Sequence, residues 1–226
     1  NLIFLRELTG GIYFGEKGRK DGGNSAFDIC FYSKKEVKRL AKKGFEMAMK
    51  RKKRLCCVDK ANVLETSRLW RETVQEMEKD FPEVEVSYEF VDAVAMRLVQ
   101  WPNSYDVLIT ENLFGDILTD EASVISGSMG LMPSASTGEK SALFEPIHGS
   151  YPQVAGKDIA NPLATILSAA MMFEDAFELK EEGKVIRKAV NAALENKVLT
   201  KDLVEEGESY FKTSEVGDWI ATKIKS

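Results

Sequence analysis

Short apolar runs alternate with helical patterns through the first half of the chain, and this alternation limits the possible folds most. Residues 33–50 carry apolar side chains at helical spacing after Ser33, a suitable N-cap, and residues 67–80 form a second helical pattern. The runs typical of strands cover residues 2–5, 26–31, 55–58, 84–90 and 107–110. Strands that alternate with helices predict an α/β architecture.

The sequence changes character near residue 126. Glycine, proline and serine become frequent up to Gly138, and helical patterns follow at residues 162–179, at residues 183–196 and after Ser214. We therefore predict two domains, residues 1–126 and residues 127–226.

The composition argues against several classes of partner. The net charge of −5 gives no reason to expect nucleic acid or an anionic membrane as a partner. No apolar run approaches the roughly 20 residues that span a bilayer. The three cysteines, Cys30, Cys56 and Cys57, form no CxxC pair, which favours reduced, buried thiols over a disulfide or a zinc site. These features predict a cytoplasmic protein.

Two carboxylates follow the last predicted strand of the first half. Asp116 and Asp120 are spaced i,i+4, so a helix that begins near Asp116 places both on one face, with Glu111, Asn112 and Gly115 in the turn before it. Oxygen ligands this close together suit a hard divalent cation such as Mg²⁺ or Mn²⁺. A solvated acidic first turn, favoured by the helix dipole, explains the same pattern.

Three polar residues follow other predicted strands. Lys60 and Asn62 come after residues 55–58, at the strand end where open α/β sheets present ligand-binding groups. Lys60 there could act as a base, or could be an ordinary surface lysine. Asp92 follows residues 84–90 and is either an N-cap or a third carboxylate of a metal site.

The first predicted strand is followed by Arg6 and two glycines. Gly10 and Gly11 allow a turn that brings Tyr13 back toward Arg6. A guanidinium binds a carboxylate through two hydrogen bonds, and a tyrosine hydroxyl can donate or relay a proton. Taken alone, the pair is better explained as a packed tyrosine and an ion-paired arginine.

Residues 145–162 form a possible ligand loop. Gly149 and Gly156 let the main chain approach a ligand closely, and His148 beside them could stack on or hydrogen-bond an adenine. Neither GxGxxG after a strand nor GxxxxGK[ST] occurs, so the usual nucleotide fingerprints do not apply.

Six segments in the same order resemble the β-decarboxylating dehydrogenase family, which includes isocitrate and isopropylmalate dehydrogenases. They are RELTGGIYFG, DKANVL, VDA, ENLFGDILTDEAS, GLMPSAS and EPIHGSYP followed by AGKDIANP. Thr9-Gly10-Gly11 favours the isopropylmalate branch, because relatives acting on isocitrate, homoisocitrate or tartrate typically carry a Thr-Glu pair there. The resemblance implies a two-domain isopropylmalate/isocitrate dehydrogenase-like fold, here incomplete at the N-terminus.

The resemblance also implies an activity. This is the NAD-dependent oxidation of (2R,3S)-3-isopropylmalate with loss of its β-carboxyl group, which yields 2-oxoisocaproate (4-methyl-2-oxopentanoate) in leucine biosynthesis. The expected assembly is a homodimer with shared active sites. Asp116 and Asp120, with Asp92 of the partner subunit, would hold Mg²⁺ or Mn²⁺, and Asp92 would also contact the substrate.

Further roles follow from the same resemblance. Lys60, supplied across the dimer, would take the proton from the substrate hydroxyl, Tyr13 would protonate the enol, and Arg6 would bind a substrate carboxylate. The residues expected at the dinucleotide are Asn62, Glu145, His148, Gly149, Ser150, Gln153, Ala160 and Asn161. Gln153 replaces the aspartate of many NAD-preferring relatives, so we expect NAD but weaker discrimination against NADP.

Two other functions stay open. A related dehydrogenase for isocitrate, homoisocitrate or tartrate would share most of these residues, and only Thr9-Gly10-Gly11 argues against it. A non-catalytic partner subunit would tolerate loss of Tyr13, Lys60 or the three aspartates, all of which are present. Roughly the first third of the family's length has no counterpart here, so we expect the chain alone to be inactive and poorly folded.

Overall fold

A computed structural model describes residues 1–225 and divides the chain into two compact units. The first unit is Asn1–Ala122, and the second begins at Ser123. The division lies a few residues before the predicted domain boundary, inside a helix rather than in the glycine-rich segment that follows it.

The first unit is built on a parallel sheet. The strands of the first unit are β1 (Ile3–Arg6), β2 (Lys17–Lys20), β3 (Ser25–Asp28), β4 (Arg54–Asp59), β5 (Glu85–Phe90) and β6 (Val107–Thr110). Its helices are α1 (Lys34–Met49), α2 (Glu65–Met77), α3 (Val91–Gln100) and α4 (Asn112–Ile125), the last of which crosses the division. Strands β1, β6, β4 and β5 lie side by side in that order, all parallel, which confirms the predicted α/β class.

Helices cover both faces of this sheet. Because side chains alternate along a strand, Cys57 of β4 packs with α1 and α2, whereas Cys56 packs with α3 and with Leu118 of α4. The adjacent cysteines therefore point to opposite faces, and both are buried free thiols, as predicted. Cys30 is also free, but it is only partly buried.

The strand ends bring the predicted polar residues to one edge of the sheet. In the register of the sheet, Arg6 pairs with Thr110, and Asp59 pairs with Phe90. Arg6, Lys60, Asp92 and the start of α4 therefore all lie at or just after the carboxyl ends of parallel strands, where such sheets bind ligands.

Local sequence signals account for some elements and miss others. Ser33 caps α1, as predicted, and the structure adds a capping box with Glu36. The strand predicted at residues 26–31 is shorter, and β3 pairs antiparallel with β2 rather than joining the main sheet. β2 has the sequence KGRK, which lacks any apolar alternation, so the pattern analysis could not find it.

The second unit combines one hairpin with three helices. Its elements are β7 (Pro133–Thr137), β8 (Ala142–Pro146), α5 (Leu163–Met171), α6 (Lys180–Glu195) and α7 (Thr213–Lys225). The predicted helix 162–179 is α-helical only to Met171, after which Met172–Ala176 form a π-helical turn. The core of the second unit contains Leu163, Val190, Ala193, Val216 and Ile220.

Within residues 1–225, every helix is too short or too polar to cross a membrane.

Candidate active site

Arg6 and Tyr13 meet on the carboxylate of Asp116. Arg6 Nη1 lies 2.5 Å from Asp116 Oδ1, and the Tyr13 hydroxyl donates to Oδ2 over 2.7 Å. The guanidinium carbon of Arg6 also lies 5.7 Å from the centre of the Tyr13 ring, so the turn brings Tyr13 back to Arg6 as predicted. Arg6 is ion-paired, but Tyr13 is 41% exposed and is therefore not a packed tyrosine.

The helix that carries Asp116 begins earlier than predicted. α4 starts at Asn112, because the Glu111 side chain accepts a hydrogen bond from the Phe114 backbone N–H at 2.7 Å, as an N-cap does. Its first turn has no acidic residue, so the alternative of a solvated acidic first turn for Asp116 is wrong. The predicted turn at Glu111, Asn112 and Gly115 is also wrong, since Asn112 and Gly115 lie within the helix.

Gly115 lets Arg6 lie directly on α4. A Cβ atom at this position would lie 2.7 Å from Arg6 Cγ and 2.4 Å from Thr110 Oγ1, both far inside contact distance. The glycine that resembles a turn signal in the sequence is therefore a close-packing residue, which brings the guanidinium within reach of Asp116.

The contact between Tyr13 and Asp116 shifts the pKa values of the two side chains in opposite directions. The hydrogen bond from Tyr13, followed by the positive charge of Arg6, holds the pKa of the Asp116 carboxyl below its usual value. The same bond, with the negative charge of Asp116, raises the pKa of the Tyr13 phenol. At neutral pH the site therefore presents an ionised carboxylate and a protonated phenol.

Asp120 follows Asp116 by one turn on α4, so both lie on the same side of the helix. Within residues 1–225, no three histidine, cysteine or acidic side chains are arranged to hold a metal ion. Asp92 therefore does not join Asp116 and Asp120 within one copy of the chain.

Lys60 and Asp92 form a second pair at the same sheet edge. The Lys60 ammonium is bonded to Asp92 Oδ1, and the Lys60 side chain is 26% exposed. This bond lowers the pKa of the Asp92 carboxyl. Asp92 is not the N-cap of α3, because Phe90 occupies that position and Asp92 lies in the first turn.

Buried residues hold the loop that carries Lys60. The Lys60 backbone N–H donates to the Ser67 hydroxyl over 2.9 Å, and Asp59 accepts from the Ala61 N–H at the same distance. Arg71 binds both oxygens of Asp59, which is 1% exposed. Asn62, on the same loop, is exposed.

In the second unit, two of the predicted dinucleotide residues line one open pocket. Ser150 and Ala160 border a volume of about 380 Å³, which is in the range of small-molecule sites. The pocket is also lined by Gly156, which the sequence analysis named, and by Tyr151, Asp158 and Thr213, to which it gave no role. Asp158 accepts two hydrogen bonds from Ser214 at the start of α7, which anchors this wall.

Asn161 has both ends of its side-chain amide engaged within the second unit. Its oxygen accepts from the Leu163 N–H at 2.9 Å, at the start of α5, and its nitrogen donates to Asp202 over 3.0 Å. Gly130 leaves room for it, since a Cβ there would lie 2.6 Å from Asn161 Cβ.

The remaining predicted dinucleotide residues lie along one stretch of chain. Glu145 is exposed in β8 opposite Ser134. A ring nitrogen of His148 lies 2.9 Å from the carbonyl oxygen of Gly149. Gln153 is exposed in a short helical turn, Pro152–Val154. Their roles stay predictions.

One supporting residue near the site escaped the sequence analysis. Glu7 is 3% exposed and accepts from Arg39 over 2.7 Å and from the backbone and hydroxyl of Thr9. It thereby ties the Thr9-Gly10-Gly11 segment to α1. Its only sequence signal is a charged residue directly after a predicted strand.

The fold is that of an α/β protein whose candidate site lies at the carboxyl edge of a parallel sheet. The family model described as isocitrate/isopropylmalate dehydrogenase matches residues 1–220. The chain belongs to this family.

Known relatives agree with this assignment. The chain is 56% identical over 225 residues to a 3-isopropylmalate dehydrogenase of Bacteroides fragilis, which matches all of this chain and 63% of the relative. A 3-isopropylmalate dehydrogenase of Desulfitobacterium hafniense is 52% identical, covering 99% of this chain and 64% of that protein. The chain thus spans a little under two thirds of the length of these curated relatives.

Solved structures show the same fold. The crystal structure of isocitrate dehydrogenase from Methylococcus capsulatus superposes with a TM-score of 0.94 at 36% identity, over 100% of this chain and 68% of that one. A β-decarboxylating dehydrogenase from Thermococcus kodakarensis gives a TM-score of 0.84 at 38% identity, over 97% and 63% of the two chains. These likenesses confirm the predicted dehydrogenase-like fold.

Proposed function

We propose that this chain supplies the acid–base, metal-binding and dinucleotide-binding residues of an NAD-dependent 3-isopropylmalate dehydrogenase. The reaction is the oxidative decarboxylation of (2R,3S)-3-isopropylmalate to 2-oxoisocaproate, a step of leucine biosynthesis. The observation that carries the proposal is the contact of Arg6 and Tyr13 with Asp116, because it joins a carboxylate-binding cation, a proton donor and a metal ligand.

The residues at α4 fit a divalent metal ion. Asp116 and Asp120 offer carboxylate oxygens from one side of the helix, which Mg²⁺ and Mn²⁺ prefer. The lowered pKa of Asp116 keeps it in the ionised form that binds a metal. Asp92 of the partner subunit would add a third carboxylate. A bound divalent ion would supply Lewis-acid chemistry, and a bound NAD would supply the hydride acceptor.

The side chains of this chain then have distinct tasks. Arg6 binds a substrate carboxylate, since a guanidinium matches that group with two hydrogen bonds. Lys60 takes the proton of the substrate hydroxyl, and Asp59 and Ser67 hold its loop in place. Tyr13 protonates the enol carbon, and its raised pKa keeps the phenol protonated until that step.

We infer that the enzyme is a homodimer in which Lys60 and Asp92 complete the site of the other copy. Asp92 does not join Asp116 and Asp120 within residues 1–225 of one chain. In addition, Met96, Val99 and Trp101 around α3 and Ile117 of α4 are each more than half exposed. Apolar side chains on the outer faces of two neighbouring helices support an interface there.

The second unit supplies the dinucleotide site in this proposal. The pocket beside Ser150 and Ala160 supports binding of part of NAD, and the other predicted residues of this unit lie close to it along the chain. We place the reaction in the cytoplasm, in keeping with three free thiols among the described residues.

The test uses a hybrid enzyme, hereafter the hybrid, in which this chain replaces the matching segment of the Bacteroides fragilis relative. NADH formation from 3-isopropylmalate should be strong with Mg²⁺ and should disappear with EDTA. Lys60→Ala and Asp116→Asn should each lower turnover by at least about a hundredfold.

Lys35→Ala on α1 and Asp218→Asn on α7 are the matched controls, because they remove the same charges from exposed helix positions. Near-normal turnover of Lys60→Ala or Asp116→Asn would remove the assigned roles. Faster turnover of isocitrate, homoisocitrate or tartrate than of 3-isopropylmalate would move the enzyme to another branch of the family.

A further inference from the structure

A buried polar network lies beside the contact between Arg6 and Asp116. Its side chains belong to Tyr32, Glu111 and Asn112, which are 4%, 7% and 2% exposed. Buried polar groups are costly unless they are bonded, so a network this complete holds its members in one arrangement.

The side-chain amide of Asn112 has one possible orientation. Its nitrogen donates to the carbonyl oxygen of Gly10 over 3.2 Å, so its oxygen must face the opposite way. That oxygen accepts from Arg6 Nε at 3.0 Å, while Arg6 Nη1 binds Asp116. Asn112 is therefore bonded to Nε of the guanidinium, and Asp116 is bonded to Nη1.

Tyr32 and Glu111 in turn hold Asn112. The Tyr32 hydroxyl accepts from the Asn112 backbone N–H at 2.9 Å and donates to Glu111 Oε2 over 2.8 Å. Glu111 uses its other oxygen to cap α4 at Phe114. The start of the helix and the position of Asn112 are therefore set together.

The glycines of the first loop make room for Tyr32. A Cβ at Gly11 would lie 2.1 Å from the Tyr32 hydroxyl oxygen, and one at Gly10 would lie 2.8 Å from the ring. Gly11 also has φ +76°, a conformation that other residues rarely adopt. The Thr9-Gly10-Gly11 segment and Tyr32 thus fit each other sterically.

We propose that Asn112 is a positioning residue that fixes the orientation of Arg6 for binding a substrate carboxylate, with Tyr32 and Glu111 holding Asn112. The identity of the substrate rests on the proposed function. A carboxylate accepts two parallel hydrogen bonds from a guanidinium only in a narrow range of orientations. The network fixes that orientation before the substrate arrives, so less ordering is required on binding.

The test measures KM and kcat for 3-isopropylmalate in the hybrid. Asn112→Ala should raise KM on the order of tenfold with a smaller change in kcat. Asn112→Asp keeps an oxygen toward Arg6 and should raise KM less, and Tyr32→Phe should also raise it less. In an Arg6→Ala background, Asn112→Ala should raise KM no further, because its effect acts through Arg6.

Thr73→Val is the control. Thr73 is fully buried in the first unit and donates to the Leu69 carbonyl, so its loss should lower the unfolding temperature and leave KM unchanged. The proposal is overturned if Asn112→Ala raises KM equally with and without Arg6, or if Thr73→Val raises KM as much. If Asn112→Ala does not fold, the same comparison of KM with and without Arg6→Ala is made with Asn112→Asp.

Failure of the proposed function has a different signature. The unsubstituted hybrid would then not oxidise 3-isopropylmalate. In that case the unfolding temperatures of the same variants show whether Asn112 and Arg6 are coupled. Arg6→Ala and Asn112→Ala together should lower the unfolding temperature by less than the sum of the single changes. Additive changes would show that the two side chains are not coupled.

Discussion

The Tyr13 hydroxyl donates to Asp116 Oδ2 over 2.7 Å, although the two residues are 103 positions apart in the sequence. The other oxygen of the same carboxylate binds Arg6. Arg6 and Tyr13 therefore converge on one carboxylate of α4 at the carboxyl end of the sheet. In the proposed mechanism, the chemistry of the first unit depends on the ionised state of Asp116.

We expect the acidity of Tyr13 to depend on Asp116. The hydrogen bond and the negative charge of Asp116 raise the pKa of the phenol, so Asp116→Asn should lower that pKa toward its ordinary value. Alkaline titration of tyrosinate absorbance measures it when each protein is compared with its Tyr13→Phe variant. Asp218→Asn is the control, and a pKa of Tyr13 unchanged by Asp116→Asn would contradict the assignment.

Gly115→Ala should destabilise the hybrid, which is the reverse of the usual effect in a helix. Alanine normally stabilises a helix interior over glycine by about 1 kcal/mol. Here its Cβ would lie 2.4 Å from Thr110 Oγ1 and 2.7 Å from Arg6 Cγ. Urea unfolding measures the free energy of unfolding of both this variant and Gly217→Ala in α7, where an added Cβ would enter open space. Gly217→Ala should stabilise, and equal gains for both would contradict the packing argument.

Glu7→Gln should lower the free energy of unfolding by about 1–3 kcal/mol at neutral pH, because it weakens charge-assisted bonds to a buried carboxylate. Burial, the largest influence, raises the pKa of Glu7, but the bonds from Arg39 and Thr9 outweigh it and the net shift is downward. A lowered folded-state pKa means that the stabilisation is complete above the unfolded pKa and is lost as pH falls through the folded one.

The pH dependence of unfolding tests this. The difference between the unsubstituted hybrid and Glu7→Gln should be largest near neutral pH and should shrink below about pH 4. Glu46→Gln on α1, whose exposed carboxylate lies 3.8 Å from Lys42, should change stability by no more than about 0.5 kcal/mol. If the difference in the free energy of unfolding grows as the pH falls, the assigned direction of the Glu7 pKa shift is wrong.

Gln153→Asp should sharpen the preference for NAD. An aspartate facing the adenosine ribose accepts from both hydroxyls and repels a 2′-phosphate, whereas glutamine repels it less. The ratio of kcat/KM for NAD to that for NADP in the hybrid should rise, mainly through loss of activity with NADP. Equal efficiencies with the two dinucleotides before substitution would contradict the assignment of NAD, and an unchanged ratio would move Gln153 away from the ribose.

The predicted strands placed much of the site. Parallel strands end at the same edge of a sheet, so Arg6, Lys60 and Asp92 could be grouped from the apolar runs that precede them.

The β7–β8 hairpin was harder to predict from the sequence. The glycine, proline and serine pattern that ends at Gly138 predicts a loop, yet residues 133–137 form β7, which pairs with β8, because backbone pairing needs no apolar alternation on a partly exposed pair of strands.

The sequence by itself determined the α/β class, the strand-end positions of the polar residues and the turn that returns Tyr13 to Arg6. Only the tertiary structure decided where α4 begins, why Gly115 is needed and which group holds Arg6. Those features depend on contacts between distant positions, such as Tyr32 with Glu111 and Asn112. Local patterns report periodicity and turn preference, whereas a buried polar network forms only after the elements that carry it have packed together.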